Sequence, residues 1–363
     1  MHTRKLLDFF ATRRLRGQPL VLATVIATQG STYSKAGERM LIDTDGIFRG
    51  MLSGGCLEGD LAIRARQVLE SGIPRIADYD LSDDNDELWG IGVGCDGAMR
   101  IFLQPVSSAT GYQPVVALLD APRRDEIAVA VTVTGSGTPS VAVGATRVAS
   151  PTTELFSDLP PALAGIADAG ARTALRDGRS SLGTQTIDDA EVELFTTPIA
   201  PVPRLLVLGA GLDAEPLLRL AAEMGWHTTV CDHRPASIDN NDLSGADERL
   251  CVPADELARR VELDRFDAAV VMSHHLASDR RYLQALAASR VPYVGLLGPP
   301  GRRRRLLSEL GDAADALASR LHGPAGLDLG GRGPAVIALS IVAEIQQSLA
   351  AGDLIRRRAG SSE

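Results

Sequence analysis

The chain has 363 residues, of which 45% are hydrophobic and 23% are charged, and its formal net charge is −9. These proportions are typical of folded globular proteins and exclude a disordered chain, while the length favours two domains over a single hydrophobic core. The acidic balance argues against a nucleic-acid partner, because nucleic-acid-binding surfaces usually carry a basic face.

The first residues, "MHTRKLLDFFATRRLRG", predict an amphipathic helix and not a secretory signal, because Asp8 interrupts the apolar patch and arginines follow it. No window of the sequence approaches about 18 consecutive apolar residues, so no membrane span is expected. The four cysteines form no C-x-x-C pair, which removes the usual zinc-ribbon and thioredoxin spacings. A cytoplasmic location is therefore predicted.

The following segments predict a strand, a hairpin and a helix. The stretch "PLVLATVIATQGSTY" is rich in β-branched residues, and "RMLIDTDGIFRGML" predicts a hairpin that turns at Asp45 and Gly46. The stretch "EGDLAIRARQVLESG" has apolar residues at helical spacing and a stop signal at Gly72, so Cys56 is predicted at or just before a helix N-terminus. Since "AMRIFLQPV" alternates like a strand, Cys95 is predicted in a glycine-rich loop between strands.

Two motifs, "SGGCLEGD" and "GVGCDG", set glycines beside Cys56 and Cys95. Glycines let a ligand approach the backbone and turn successive N–H groups into an anion-binding nest, and a helix start favours the thiolate, which binds soft metals. The turn in "TQGSTYSKAGERML" adds Lys35 and Arg39, which suit phosphate or oxo anions. The same residues also fit two unrelated tight turns with small buried cysteines, so one shared site and two plain loops both stay open.

The middle of the chain predicts more strands, at "PVVALLD", "IAVAVTVTG" and "AEVELFTTPI", and these complete the N-terminal domain. The proline-punctuated "APVPR" then predicts a linker. The expected organisation is a cysteine-bearing domain, its additional strands, a second domain and a polar tail, over residues 1–106, 107–200, 201–350 and 351–363.

Behind the linker the pattern changes to alternating strands and helices. The run "RLLVLGAGLDAEPLLRLAAEMGWHTTVCDHRP" predicts one βαβ unit, "FDAAVVMSHH" and "VPYVGLLG" predict later strands, and a helix is expected from about Pro334. The predicted fold class is α/β, with an N-terminal mixed α+β domain followed by a C-terminal Rossmann-like doubly wound parallel sheet.

The first turn of this βαβ unit matches part of a dinucleotide fingerprint. Gly209 and Gly211 follow a buried strand, and Asp232 closes the next strand at the expected distance. However, Asp213 and Glu215 lie where the helix begins, and carboxylates there stabilise the helix N-terminus and repel a pyrophosphate. Dinucleotide binding and a scaffold whose cofactor role is redirected are therefore both consistent with the pattern.

Two further features lie in the same domain. His274 and His275 end the third strand, at the carboxyl edge where open α/β sheets bind ligands. Adjacent strand residues point in opposite directions, so only one of them is expected to face a cleft, and a structural histidine fits equally well. The run "GRRRR" at 301–305 fits a solvated helix start or loop as well as a phosphate- or partner-binding patch.

Several of these motifs, in the same order, resemble the XdhC/CoxI family of accessory factors, which mature xanthine dehydrogenase, carbon monoxide dehydrogenase and related molybdenum hydroxylases. The N-terminal resemblance lies in "GSTYSKAGERMLI", "SGGCLEGD" and "GVGCDGAMRIFLQP". The C-terminal half is similar to that family's Rossmann domain in "LGAGLDAEPL", "GWHTTVCDHRP", "SHHLASDRRYL", "VPYVGLLGPPGRRRRL" and "HGPAGLDLG". In one departure, Asp96 replaces a glycine of the usual Gly-Cys-Gly-Gly and adds a carboxylate beside the expected nest.

The resemblance implies a cofactor-binding chaperone more than an enzyme. Such a factor binds molybdenum cofactor (molybdopterin), protects it during terminal sulfuration by a cysteine desulfurase and delivers it to a hydroxylase apoenzyme of the xanthine or carbon monoxide dehydrogenase type. Cys56 and Cys95 fall on the family's cysteine positions and are the expected molybdenum contacts. The expected cofactor-binding residues are Cys56, Cys95, Ser53, Gly54, Gly55, Glu58, Gly94, Gly97, Lys35 and Arg39.

Two other functions compete with this one. The first is an NAD(P)-dependent oxidoreductase, in which Gly209, Gly211 and Asp232 hold the dinucleotide and His274 transfers a proton. The second is an interaction scaffold that docks through the arginine run at 302–305. For each of these functions a homodimer is the default expectation, because two-fold assemblies are the commonest.

Overall fold

The computed structural model describes residues 4–80 and 97–351. The chain divides into two compact units, the first ending at Pro201 and the second beginning at Val202. Among the described residues, no helix is long and apolar enough to cross a membrane.

The first unit contains two antiparallel five-stranded sheets, here called the first and second sheets. The first sheet has the order β3-β2-β1-β5-β4, with β1 Leu20–Gly30, β2 Arg39–Asp43, β3 Phe48–Arg49, β4 Arg75–Asp80 and β5 Gly97–Val106. The second has the order β8-β7-β6-β10-β9, with β6 Ala128–Ser136, β7 Thr146–Ala149, β8 Glu154–Ser157, β9 Ser181–Ile187 and β10 Ala190–Ile199. The helices described in this unit are α1 Arg4–Leu15, α2 Glu58–Ser71, α3 Val115–Asp120 and α4 Ala164–Asp177.

Both faces of the first sheet are covered, because successive strand side chains alternate between them. Val21 and Ala23 of β1 pack on one face, in a cluster with Leu61 and other buried residues of α2. Leu20 and Leu22 of the same strand pack on the other face with α1, α3 and inward residues of the second sheet. The outer face of the second sheet is covered by α4. The first sheet is therefore sandwiched between α2 and the second sheet.

The strand predicted at "PVVALLD" is wrong, because this segment forms α3. Val115, Leu118 and Leu119 are all buried in it, so the run shows neither a period of two nor one of 3.6. A short apolar run of this kind does not distinguish a strand from a helix that is buried on most sides. The strands predicted at "IAVAVTVTG" and "AEVELFTTPI" are confirmed as β6 and β10.

The second unit is built on one parallel sheet, the third sheet, with the order β13-β12-β11-β14-β15-β16. Its strands are β11 Arg204–Leu208, β12 His227–Asp232, β13 Glu248–Cys251, β14 Ala268–Val271, β15 Tyr293–Leu296 and β16 Leu321–His322. The helices described here are α5 Ala214–Glu223, α6 Pro235–Asn240, α7 Leu257–Arg260, α8 Leu276–Ala287, α9 Pro300–Leu310 and α10 Pro334–Ala351. This strand order is that of a doubly wound Rossmann sheet, so the predicted fold class is confirmed.

The third sheet is buried on both faces, as parallel sheets usually are. Leu205 and Val207 of β11 pack on one side with α5 and α10, and Leu206 and Leu208 pack on the other with α8 and α9. Because both faces of the sheet are buried, its central strands are apolar along their length and do not alternate with polar residues. The order also places the switch point of the sheet, where ligands bind in such folds, between β11 and β14.

Candidate functional site

The connectivity of the first sheet brings separate motif segments to one of its ends. Gly30, the last residue of β1, pairs with Gly97, the first residue of β5. The segment 31–38 leaves β1 there and returns as β2, whose first residue is Arg39. After β3 the chain comes back to the same end through 50–57, and α2 begins from it. We call this region the loop end of the first sheet.

Direct contacts join the two loops at the loop end. The Ser34 hydroxyl donates a hydrogen bond to the carbonyl of Met51, over 3.3 Å. The Tyr33 ring lies against Gly54, where an added Cβ would be 3.4 Å from the ring. At Gly97 an added Cβ would lie 2.8 Å from the Gln29 carbonyl, so β1 and β5 pair this closely only because the residue is glycine. The two sequence motifs around 31–38 and 50–57 therefore form one surface.

The loop before α2 is organised by the carboxylate of Glu58, which is only 2% exposed. Its Oε1 accepts hydrogen bonds from the backbone N–H groups of Leu52 and Ser53, each at 3.0 Å, and its Oε2 accepts one from Gly55 at 3.0 Å. The Ser53 hydroxyl also donates to Oε2 and accepts from the backbone of Leu57 at 2.8 Å. The backbone N–H groups that were predicted to bind an external anion thus bind the carboxylate of Glu58 instead.

The pKa of Glu58 reflects this setting. Burial alone would raise it, but hydrogen bonds from the Ser53 hydroxyl and from the backbone of Ser53 and Leu52 outweigh burial, so the pKa lies below its ordinary value. Glu58 is therefore ionised at neutral pH and shapes the loop. It is not exposed to contact a ligand directly.

Cys56 lies in the loop that Glu58 holds, two residues before the first residue of α2, as predicted. Its thiol is free and half-buried, resting partly on the core beneath α2. Gly54 and Gly55 have φ of +77° and +115°, a region that favours glycine, and an added Cβ at Gly55 would have no atom of the described residues within 4 Å beyond its own chain neighbours. Within the part of the chain that the structure describes, the backbone beside the Cys56 thiol is therefore left open at Gly55.

A polar cluster one turn further along α2 could not be singled out from the sequence pattern. Asp60 accepts hydrogen bonds from the hydroxyl of Tyr79, at 2.6 Å, and from Arg64. Burial and the bond to Asp60 raise the pKa of Tyr79, which therefore stays protonated. The only local sequence signal for this cluster is the spacing of Asp60, which lies four residues from both Cys56 and Arg64. Tyr79 belongs to β4 and reaches Asp60 only when the sheet is folded.

The remaining predicted cofactor residues fall in different places. Lys35 is exposed in the segment 31–38, at the loop end. Arg39 pairs with Thr24 across β1 and β2 and lies on the face toward the second sheet, opposite the face on which Cys56 and α2 pack. Cys95 and Gly94 lie outside the described residues. Within the described residues, no group of three or more His, Cys, Asp or Glu side chains is arranged to hold a metal ion.

In the second unit, the glycine turn after β11 is closely packed. Gly209 has φ of +125°, and an added Cβ would lie 2.6 Å from backbone atoms of Ser273. The carboxylate of Asp232 is fully buried and accepts from the N–H of Ala210 at 2.8 Å and from the guanidinium of Arg234 at 2.8 Å. Burial alone would raise the pKa of Asp232, but these bonds outweigh it and hold the pKa low.

The two histidines do not end the strand but lie beyond it, since β14 stops at Val271. His274 has φ of +59°, and its Nε2 lies 2.9 Å from the carboxylate of Asp213, with the ring over Gly211. His275 instead caps α8 by accepting from the backbone of Ser278. The pair between His274 and Asp213 therefore crosses the switch point of the third sheet.

These residues do not fit the pyrophosphate and ribose of a dinucleotide. Asp213 places negative charge at the start of α5, where a pyrophosphate would bind, and Asp232 is already satisfied by donors of the chain. At this edge, Asp213 therefore disfavours a pyrophosphate, and Asp232 is not available to bind a ribose.

Comparison with known proteins shows which protein family the chain resembles. A family model described as "XdhC and CoxI family" matches residues 14–80, and one described as "XdhC Rossmann domain" matches residues 205–345. A Bacillus subtilis protein named as a probable xanthine dehydrogenase subunit is 31% identical over 332 residues, which cover 90% of this chain and 92% of that protein. The chain belongs to the XdhC/CoxI family.

Two other proteins extend this relationship over most of the length. The molybdenum cofactor insertion chaperone PaoD of Escherichia coli is 24% identical to this XdhC/CoxI-family chain, over 94% of this chain and 87% of its own. The crystal structure of a xanthine dehydrogenase from Bacillus halodurans is 31% identical and matches with a TM-score of 0.75, over 95% of this chain and 96% of that one. The matched residues of the two family models include the Cys56 loop and most of the second unit.

Proposed function

We propose that this chain binds molybdenum cofactor as its cargo and supports insertion of that cofactor into a molybdenum hydroxylase of the xanthine or carbon monoxide dehydrogenase type. The observation that carries the proposal is the half-buried Cys56 thiol, held in a glycine loop that the described residues leave open at Gly55. A relative named as a molybdenum cofactor insertion chaperone and one named as part of a xanthine dehydrogenase support the same role.

The chemistry of the loop end suits such a cargo. A thiolate is a good ligand for a soft metal, so the Cys56 sulfur is the proposed contact to molybdenum. The Tyr33 side chain is 61% exposed beside Gly54 and offers an aromatic surface to a planar pterin. Lys35, exposed in the same segment, is the proposed partner of the cofactor phosphate. Cys95 is proposed as a second contact.

Glu58 and Ser53 have a positioning role in this proposal. Their hydrogen bonds hold Leu52, Ser53 and Gly55 in one conformation, so the loop needs no reorganisation when cargo arrives. Pre-organisation of this kind raises affinity because less conformational entropy is lost on binding.

We further propose that the bound cofactor is protected while a cysteine desulfurase adds its terminal sulfur, and is then passed to the apoenzyme. Cys56 is half-buried, which shields a ligand on one side and leaves the other side accessible to a partner protein. Met51 belongs to the same loop and is exposed, so it adds apolar surface that such a partner would cover.

The test is to purify the protein from cells that make molybdenum cofactor and to measure bound molybdenum and pterin per chain. We compare the wild type with Cys56→Ser and with Cys251→Ser, a matched control because Cys251 is an exposed free cysteine of the second unit. Retention is expected to fall at least about 10-fold in Cys56→Ser and to stay unchanged in Cys251→Ser, since loss of one good ligand contact removes at least a factor of this size. Equal retention in both variants, with matching circular dichroism spectra, would overturn the proposal.

The alternative of an NAD(P)-dependent oxidoreductase has less support, because the donors and charges at the switch point are already paired within the chain. Titration with NADH and NADPH is expected to shift neither the melting temperature nor the nucleotide fluorescence. A saturable shift with either nucleotide would restore that alternative.

A further inference from the structure

A small cavity lies between the first and second sheets of the first unit, on the face of the first sheet opposite Cys56. Its volume is about 10 Å³, close to the lower limit for one water-sized group. Apolar side chains, including Phe102 and Phe195, form much of its wall, and Arg39 and Thr24 also line it. A cationic group therefore faces a space with apolar walls.

Arg39 has no counterion among the described residues. No carboxylate of the described chain lies within ion-pair distance of its guanidinium, and its side chain donates no hydrogen bond to another described residue. Burial lowers the pKa of Arg39 to about 10, and the neighbouring charge of Glu38 only partly opposes this. The guanidinium is still cationic at neutral pH, and it forms no ion pair with a described carboxylate.

The acid on the facing strand is already engaged. Glu193 of β10 accepts a hydrogen bond from Thr134 at 2.8 Å and pairs with Arg100 at 3.2 Å. Glu193 therefore does not pair with Arg39, and Glu38 compensates the charge of Arg39 only in part. The Arg39 side chain is half-buried, so water reaches only part of a cation that pairs with no described carboxylate.

Thr24 supplies a second donor. It is the cross-strand partner of Arg39, and the two side chains share one face of the first sheet. Thr24 is 7% exposed, and its hydroxyl makes no hydrogen bond with another described residue. By contrast, the Thr132 hydroxyl is taken by Thr146 at 3.1 Å. Two side chains whose donors have no hydrogen-bond partner among the described residues therefore line the same cavity.

We propose that the guanidinium of Arg39 and the hydroxyl of Thr24 bind one small monovalent anion between the two sheets. Because the cavity is small and open on one side, the anion would be a halide held at its mouth, or a carboxylate or oxoanion that inserts a single oxygen. The anion neutralises Arg39 on the face of the first sheet that is turned toward the second sheet. This site is separate from the proposed cargo site, because Cys56 packs on the other face.

The direct test is the line width of the ³⁵Cl resonance in chloride solutions of the apo-protein, at constant ionic strength with gluconate as the replacement anion. Excess broadening is expected for the wild type and for Arg75→Gln, whose arginine is exposed on β4, and is expected to disappear in Arg39→Gln. Equal broadening in all three proteins, or none in the wild type, would overturn the site. Loss of broadening on adding acetate, or on adding phosphate, would identify a carboxylate or an oxoanion as the preferred occupant.

A stability measurement gives the second readout. Chloride at about ten times its dissociation constant is expected to raise the melting temperature of the wild type by about 3 °C, because it binds only the folded state. The same chloride concentration is expected to leave the melting temperature of Thr24→Val nearly unchanged. If Arg39→Gln does not fold, Arg39→Lys keeps the charge and is expected to show weaker, still saturable chloride dependence. A wild-type melting temperature that does not depend on chloride at constant ionic strength contradicts the proposal.

Discussion

The loop end of the first sheet and the carboxyl edge of the third sheet share one local arrangement and use it differently. In each, a glycine-containing turn leads into a helix, and a carboxylate of the chain accepts backbone N–H groups of the turn. Glu58 accepts from Leu52, Ser53 and Gly55 at the loop end, and Asp232 accepts from Ala210 at the carboxyl edge.

The difference lies in what occupies the space beside the glycines. At the loop end, an added Cβ at Gly55 would meet no described residue within 4 Å other than its chain neighbours, and the adjacent Cys56 is half-buried. At the carboxyl edge, Gly209 packs against the backbone of Ser273, and Cys231 is completely buried. A glycine turn thus leaves accessible surface only where the missing side chain leaves free space. Where backbone fills that space, the glycine serves packing.

The largest effect is expected from a methyl group at the packed turn. Gly209→Ala introduces a Cβ 2.6 Å from backbone atoms at a φ of +125°, so it should lower the free energy of unfolding by about 3–5 kcal/mol. Gly211→Ala is the matched control, because its Cβ would only touch the His274 ring at 3.9 Å, and about 1 kcal/mol or less is expected. Urea unfolding followed by circular dichroism measures both, and equal losses would refute close packing at Gly209.

The next largest effect is expected at the carboxylate that holds the Cys56 loop. Glu58→Gln puts an amide donor among the N–H groups of Leu52, Ser53 and Gly55, so the free energy of unfolding should fall by about 2–3 kcal/mol. Glu70→Gln, on an exposed position of the same helix, should change it by less than about 0.5 kcal/mol. Similar values for the two variants would show that the loop does not depend on its buried carboxylate.

The same carboxylate predicts a pH dependence. The pKa of Glu58 in the folded protein is below its ordinary value of 4.5, so its contribution to stability is fully present above that value and is lost as pH falls through the folded pKa. The difference in unfolding free energy between the wild type and Glu58→Gln should therefore be constant from about pH 6 to 8 and shrink below about pH 4.5. A difference that grows on acidification would contradict this sign.

Thiol chemistry should separate the two cysteines of the comparison. Burial, and then the charge of Asp232, raise the pKa of Cys231 to about 12, and its side chain is fully buried, whereas Cys56 is partly accessible. In variants that keep only one of them, Cys56 should react with a disulfide reagent at pH 8 at least about 100-fold faster than Cys231. Urea should abolish the difference. Equal rates in the native proteins would mean that the third sheet opens readily.

The smallest effect is expected at the pair that crosses the switch point. The Asp213 side chain is 24% exposed and the side chain of its partner His274 is 60% exposed, so Asp213→Asn should lower stability by about 1 kcal/mol or less. Glu215→Gln, which removes a helical pair with Arg219, is the control and should act similarly. Thermal unfolding measures both, and a loss above about 2 kcal/mol for Asp213→Asn alone would show that this pair holds the turn together.

Much of the architecture follows from local patterns. The start of α2 just after Cys56, the turn at Asp45 and Gly46, and the βαβ unit around Gly209 all rest on residues close in sequence, and the structure has each of them. The apolar run that forms α3 was assigned wrongly, because burial on most sides removes the periodicity that separates helix from strand.

By itself, therefore, the sequence determined the two folded regions, their order and the loop that carries Cys56. Tertiary structure decided which side chains share a site. Residues 40–42 of β2 are apolar and buried on both faces of the sheet, so the sequence shows no alternation of polar and apolar residues that would assign Arg39 to one face. The register of β2 with β1 places Arg39 on the face that is opposite the one on which Cys56 packs. Likewise, backbone turns at positive φ brought three N–H groups onto Glu58, and side-chain type alone does not specify that geometry.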